Sequence, residues 1–154
     1  MRHPAYQHTQ LLWLLWVLLP GCTGAVLGTV LSTEGAPDPP GLLVVGLVIA
    51  LQLGFLLTMG RLTVEVGTDA IEWRFGLFGR PRWRVALAEV VAVAPARSTW
   101  IEGWGIRKTA DGMLYNASGF DAVRLTLRDG RVIRLGSPEP QRLIGFIEAR
   151  LPAR

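Results

Sequence analysis

Cysteine and histidine are nearly absent from this sequence of 154 residues, which excludes several kinds of chemistry. The one cysteine is Cys22, and the two histidines are His3 and His8. A single cysteine cannot form an intrachain disulfide or a cysteine-based zinc site. Residues 61–154 contain neither residue type, so Ser–His and Cys–His catalysis and the usual zinc ligands are excluded there.

Charge is missing from two long apolar blocks, Leu11–Ser32 and Gly41–Gly60. A helix of about twenty residues spans roughly 30 Å, the thickness of the hydrocarbon core of a bilayer. We therefore predict a transmembrane helical hairpin over 11–60, with spans at 11–32 and 41–60 and an external turn at 33–40. Residues 1–10 are predicted to be a tail, and residues 61–154 a separate domain. Gln52 is expected to hydrogen-bond the neighbouring helix.

The first block also has a second interpretation, a cleaved signal peptide with Leu11–Leu19 as its apolar region. A variant is lipoprotein processing, because residues 19–22, LPGC, resemble a bacterial lipobox that ends in a lipidated cysteine. The proline fits that pattern poorly, and the apolar run continues to Leu31. An uncleaved span is favoured, and the N-terminus of the mature chain would separate these alternatives.

The charges that flank the blocks indicate an orientation. Arg2 precedes the first block and Arg61 follows the second, whereas the turn contains Glu34 and Asp38 but no Lys or Arg. Positive residues remain in the cytoplasm, so we expect a multi-pass protein of the inner (plasma) membrane with both termini cytoplasmic. From Arg61 onward the chain is rich in arginine. This excess of positive charge has two interpretations, contact with anionic lipid or an ordinary solvated surface.

Small residues recur every four positions in both blocks. They are Gly24 and Gly28 in the first block, and Gly46, Ala50 and Gly54 in the second. Faces of this kind allow helix backbones to approach closely. We expect them to pack the two helices on each other, and the alternative is homo-oligomerisation through the same faces.

After Arg61 apolar and polar residues alternate, a pattern that indicates half-buried strands. The predicted strands are Leu62–Val66, Ile71–Phe75, Trp83–Leu87 with a continuation towards Val93, one within Trp100–Lys108, Met113–Tyr115, Phe120–Arg128 and Arg131–Leu135. A helix of roughly thirteen residues follows, capped by Ser137, begun by Pro138 and ended by Pro152. Seven strands and one helix fit a small barrel or a two-sheet sandwich.

Several glycine and aromatic positions lie in this C-terminal part of the chain. They are found in Gly103–Arg107, Gly112–Asn116, Gly119–Val123 and Asp129–Arg131, before the terminal helix. With these positions the chain resembles small bacterial membrane proteins in which a transmembrane hairpin precedes a pleckstrin-homology (PH)-like domain. The resemblance implies a mainly-β (α+β) PH-like barrel of about seven strands with a C-terminal helix. It also implies a docking module.

A basic and apolar cluster surrounds the second predicted hairpin. Its members are the candidate lipid-binding residues Arg74, Leu77, Phe78, Arg80, Arg82 and Arg84. The resemblance to PH domains that bind phosphoinositides would instead place cations in the first hairpin loop. That loop is Gly67-Thr68-Asp69 and contains none. The cluster could rest on an anionic membrane surface, or it is an ordinary solvated strand face.

Trp100, Trp104 and Arg107 are the candidate partner-binding residues. Two glycines around Trp104 allow tight bends, and exposed aromatic side chains commonly contribute most of the energy of a protein interface. The alternative is that both tryptophans belong to the core.

Catalysis is not expected. Asp111, Asp121 and Asp129 are available carboxylates, but each lies in or beside a glycine-containing turn. We expect a non-catalytic membrane protein without cofactor or metal, whose domain docks a protein partner or a second copy of itself. Sensing of anionic membrane lipid through the basic strand face is the alternative, and a transport subunit is less expected than either, as is an enzyme. Nucleic acid and small-molecule substrates are not expected as partners.

Overall fold

A computed structural model of the chain describes residues 6–33, 35 and 38–151. The three helices are α1 (Trp13–Thr33), α2 (Pro39–Met59) and α3 (Pro140–Glu148). The strands are β1 (Tyr6–Leu11), β2 (Arg61–Val66), β3 (Ala70–Phe75), β4 (Arg82–Ala86), β5 (Val90–Arg97), β6 (Gly105–Thr109), β7 (Gly112–Asn116), β8 (Asp121–Leu127) and β9 (Val132–Gly136). Arg2, Glu34 and Pro152, to which the sequence assigns roles, lie outside the described residues.

The helical hairpin is inserted between two paired strands. Strands β1 and β2 are antiparallel neighbours, with registers that run from Tyr6 opposite Val66 to Leu11 opposite Arg61. The predicted boundary at residue 10 is therefore wrong, because residues 6–11 form a strand of the domain and not a tail. Tyr6, His8 and Gln10 face inward from β1, and polar side chains in inward positions give no apolar alternation.

Both helices of the hairpin are long and apolar enough to cross a membrane. Buried residues make up 0% of the most apolar part of α1 and 6% of that of α2, so neither helix is the core of the domain. Asp38 caps α2 by accepting a hydrogen bond of 2.9 Å from the Gly41 amide. The expected contact of Gln52 is confirmed, since its side-chain amide donates to the hydroxyl of Thr23 on α1.

The small-residue faces lie away from the contact between α1 and α2. A Cβ atom placed on Gly24, Gly28, Gly46 or Gly54 would meet nothing within 4 Å, and Ala50 is exposed. The expectation that these faces pack the two helices on each other is wrong for this structure. The spacing of the small residues shows which of them share a helix face. It does not show which face contacts the other helix, because every face of these helices is apolar.

The strands form two sheets in place of the expected barrel. The first sheet has the order β1-β2-β3-β4, and the second has the order β5-β8-β9-β7-β6 with β7 and β9 parallel. The described residues form nine strands instead of the seven predicted, because β1 was missed and the strand predicted from Trp83 towards Val93 is two strands, β4 and β5. A 3₁₀ turn at Leu87–Glu89 separates β4 from β5 and carries the chain from the first sheet to the second.

The core lies between the two sheets and is closed by α3. The ring of Tyr115 lies 5.2 Å from that of Trp73 and 4.8 Å from that of Trp83, which joins the sheets. Leu143 and Ile147 of α3 are fully buried, and burial of such a side chain contributes about 1.5–3 kcal/mol.

Helix α3 is shorter than predicted and begins later, with Glu139 as its N-cap. Ser137 accepts a hydrogen bond from the Glu139 amide instead of capping the helix.

A buried polar seam attaches β1 to the second sheet. The side-chain amide of Gln10 donates to the Ser118 carbonyl at 3.2 Å, and its oxygen accepts from the Ala117 amide at 3.3 Å. Gly136 leaves room for this seam, since a Cβ there would lie 2.2 Å from Asn116 Oδ1 and 2.8 Å from Gln10 Oε1. Burial lowers the pKa of His8, so the neutral imidazole is the form that this packing favours.

Gly136→Ala is expected to lower the free energy of unfolding by about 1–3 kcal/mol, because the new methyl group must displace Asn116 and Gln10. Urea unfolding of the full chain in detergent micelles measures this change. Gly145→Ala is the matched control, since nothing lies within 4 Å of a Cβ at that exposed helical position. The control should be neutral or stabilising, and equal losses in the two variants would contradict the tight fit at Gly136.

Candidate functional site

The turn between β3 and β4 lies against the C-terminal end of α2. The Leu77 amide donates to the Leu57 carbonyl at 2.8 Å, and the Gly76 amide donates to the Arg61 carbonyl at 2.8 Å. Gly76 has a φ of +70°, and a Cβ there would lie 2.4 Å from the Thr58 carbonyl oxygen. A glycine is needed at this position both for the left-handed backbone and for the close approach of the helix.

Leu77 and Phe78 project from this turn into solvent. Leu77 is 49% exposed and Phe78 is 73% exposed, although both are apolar. Because the Leu77 amide is bonded to the last turn of α2, these side chains lie beside the end of a helix that is long enough to cross a membrane. An exposed apolar pair is unusual for a solvated hairpin turn, where Gly, Asn and Asp predominate.

A shallow cleft of about 310 Å³ lies next to the turn. It is lined by Arg61, Glu72, Trp73, Arg74, Leu77, Phe78, Gly79 and Arg82. The structure therefore brings four of the six candidate lipid-binding residues together, with exposed Arg80 in the adjoining turn and Arg84 two residues beyond Arg82 on β4. Sequence reasoning missed Arg61 as a member of this group, and its place directly after the second apolar block was the available signal.

Acidic partners neutralise part of the basic cluster. Arg74 donates from both terminal nitrogens to Glu65, at 2.6 and 3.0 Å, and Arg84 Nε lies 3.5 Å from Glu72. The ion pairs within the described residues do not include Arg80 or Arg82, and both are exposed. The cationic surface is therefore smaller than predicted.

The predicted aromatic pair is divided between two environments. Trp104 is half-buried, donates from its indole nitrogen to the Gly119 carbonyl at 3.2 Å, and lies 6.4 Å from the Phe120 ring. Trp100 is 73% exposed, and the neighbouring Ile101 is 89% exposed. Trp104 is thus a packing residue at the base of the loop between β5 and β6, and Trp100 lies at its exposed tip.

Glu102 fixes this loop to the second sheet. One carboxylate oxygen accepts from the Thr99 amide at 2.7 Å, and the other pairs with the buried guanidinium of Arg134 on β9. The Thr99 amide, followed by the Arg134 guanidinium, holds the pKa of Glu102 below its ordinary value. The sequence analysis missed three residues of this loop and its support, Ile101, Glu102 and Arg134. Glu102 and Arg134 are far apart in the chain and meet only after folding.

Arg107, the third candidate partner-binding residue, is exposed on β6. Its guanidinium carbon would lie 3.5 Å from a Cβ placed on Gly103, so the side chain lies beside the base of the same loop. The described residues contain no group of three or more His, Cys, Asp or Glu side chains that could hold a metal ion.

Gly76→Ala is expected to release the turn from α2, because the added methyl group would overlap the Leu57 and Thr58 carbonyls. Hydrogen exchange of the full chain in nanodiscs should show loss of protection at the Leu77 amide. Gly130→Ala is the matched control, since Gly130 also has a positive φ, of +83°, but open space around it. Protection at Leu77 that survives in Gly76→Ala would contradict the docked turn.

Comparison with known proteins adds no family to this description. No protein-family model matches the chain, and a search of curated proteins finds no match. The geometry of the described residues is therefore the basis for a functional proposal.

Proposed function

We propose that this chain is a non-catalytic integral membrane protein with two spans, whose β-rich domain docks a protein partner or a second copy at the membrane surface. The observation that carries the proposal is the insertion of two exposed apolar helices between the paired strands β1 and β2. Apolar surface on this scale is unfavourable in water, and a bilayer removes it from water.

The pairing of β1 with β2 supports a particular membrane topology. The hairpin leaves the domain after Leu11 and returns at Arg61, which are opposite each other in the sheet. Both ends of the hairpin therefore lie on one side of the bilayer if each helix spans it. The cations that follow Gly60 favour the cytoplasmic side of the inner membrane.

The same pairing favours the uncleaved form of the first span. Processing near Cys22 would remove β1, and with it the core residue Tyr6 and the seam residue Gln10. The remaining β2 would still pair with β3, but it would become the edge strand of its sheet with its other side unpaired. A retained span avoids this loss.

The loop that presents Trp100 and Ile101 supports the docking part of the proposal. Its apolar tip is exposed, while its base is fixed by Glu102 and Arg134. A fixed loop loses little conformational entropy when it is covered by a partner. Tryptophan in particular is common among the residues that dominate protein interfaces.

A bacterial PH-like identity also belongs to this proposal. Its support is the general order of the domain, two β-sheets followed by a C-terminal helix that covers the core. PH-like domains serve as docking modules, which agrees with the role assigned to the Trp100 loop.

Replacement of the loop tip by Trp100→Ala with Ile101→Ala is expected to weaken docking by about 2 kcal/mol or more, roughly thirtyfold in affinity. Gentle extraction of the tagged full chain from its native membranes, followed by quantitative mass spectrometry, measures stoichiometric co-purification with itself or another membrane protein. Phe78→Ala is the matched control, because Phe78 and Trp100 are both 73% exposed. A chain that purifies alone, or a complex that the loop variant leaves intact, would contradict docking through this loop.

A further inference from the structure

We propose that the cleft beside the β3–β4 turn binds the phosphate group of an anionic lipid headgroup. Arg61 and Arg82 would supply the charge, and Leu77 and Phe78 would enter the adjacent apolar layer of the bilayer. This inference rests on the proposed insertion of α1 and α2 into a membrane. It does not depend on docking through the Trp100 loop.

The position of the cleft determines which ligand can reach it. Arg61 follows Gly60 directly at the end of α2, and the Leu77 amide is bonded to the Leu57 carbonyl within that helix. A helix of 21 residues extends roughly 30 Å, which matches the hydrocarbon core. Its C-terminal end, and the cleft beside it, would therefore lie at the depth of the lipid headgroups.

The charges of the cleft favour an anion. Arg74 is engaged by both oxygens of Glu65, so it contributes little free charge. Among the described residues, Arg61 donates from its Nε to the Gly76 carbonyl, at 3.3 Å, and its terminal nitrogens have no partner there, so they are available to a ligand. Arg82 is exposed, and Glu72, the one carboxylate of the lining, lies 3.5 Å from Arg84. Two guanidinium groups can donate several hydrogen bonds to phosphate oxygens.

The turn supplies the second element of a lipid site. Phosphate contacts alone would suit a soluble anion as well as a lipid. The exposed Leu77 and Phe78 line the same cleft and offer apolar surface to the region just below the headgroup. A combination of basic and apolar contacts is what gives proteins stable attachment to anionic membrane surfaces.

The test uses the full chain in nanodiscs that contain phosphatidylcholine with or without phosphatidylglycerol. After transfer to mild detergent, quantitative mass spectrometry of the retained lipid gives the preference for phosphatidylglycerol. Arg82→Gln should lower that preference about fivefold, the effect of removing one cation near an anionic surface. Arg124→Gln is the matched control, because Arg124 is also an exposed strand arginine, on β8 of the other sheet.

Three outcomes would overturn the lipid site. The unaltered chain could retain the two lipids equally, or the two arginine variants could lose equal amounts of preference. The third outcome is a chain that binds inorganic phosphate in neutral nanodiscs but does not prefer phosphatidylglycerol. Carbonate extraction distinguishes failure of the lipid site from failure of the proposed membrane insertion. A chain that carbonate releases from native membranes would contradict the two spans themselves. A chain that remains embedded and retains both lipids equally would contradict only the lipid site.

Discussion

The pairing of β1 with β2 is the interaction on which the rest of the structure depends. It places Leu11 opposite Arg61 and so closes the base of a helical hairpin that would otherwise be a loose appendage. The Leu12 amide and the Trp16 indole both donate to the Gly60 carbonyl, which joins the start of α1 to the end of α2. The apolar helical hairpin and the β-rich domain thereby become parts of one hydrogen-bonded unit.

This arrangement determines what the domain can reach. The helices are attached to the adjoining ends of β1 and β2. The β3–β4 turn is held against the end of α2, and Leu77 and Phe78 remain exposed beside it. The loop that carries Trp100 is fixed separately, through Glu102 and Arg134 on the second sheet. The molecule thus offers two apolar tips with different supports, one bonded to a helix end and one to a sheet.

Local patterns predicted the elements better than their assembly. Both apolar helices, the alternating strands β2, β3 and β8 and a closing helix are evident in the sequence, because burial of one face leaves a regular period. Strand β1 was missed because His8 and Gln10 are polar and its partner lies some fifty residues away in the chain. The basic cluster was overestimated for a similar reason, since Glu65 meets Arg74 only when β2 and β3 pair. Contacts of this kind are properties of the fold and are not encoded in a local pattern.

The most direct test of this account is a disulfide between β1 and β2. Thr9 and Thr63 are opposite each other, with hydroxyl oxygens 3.2 Å apart, and directly opposed residues in antiparallel strands are close enough for a disulfide. In a Cys22→Ser background in native membranes, Thr9→Cys with Thr63→Cys should cross-link under mild oxidation. The control pair, Thr9→Cys with Thr126→Cys on the other sheet, should not. Failure of the first pair to cross-link, or equal cross-linking of both pairs, would contradict the insertion of the hairpin between paired strands.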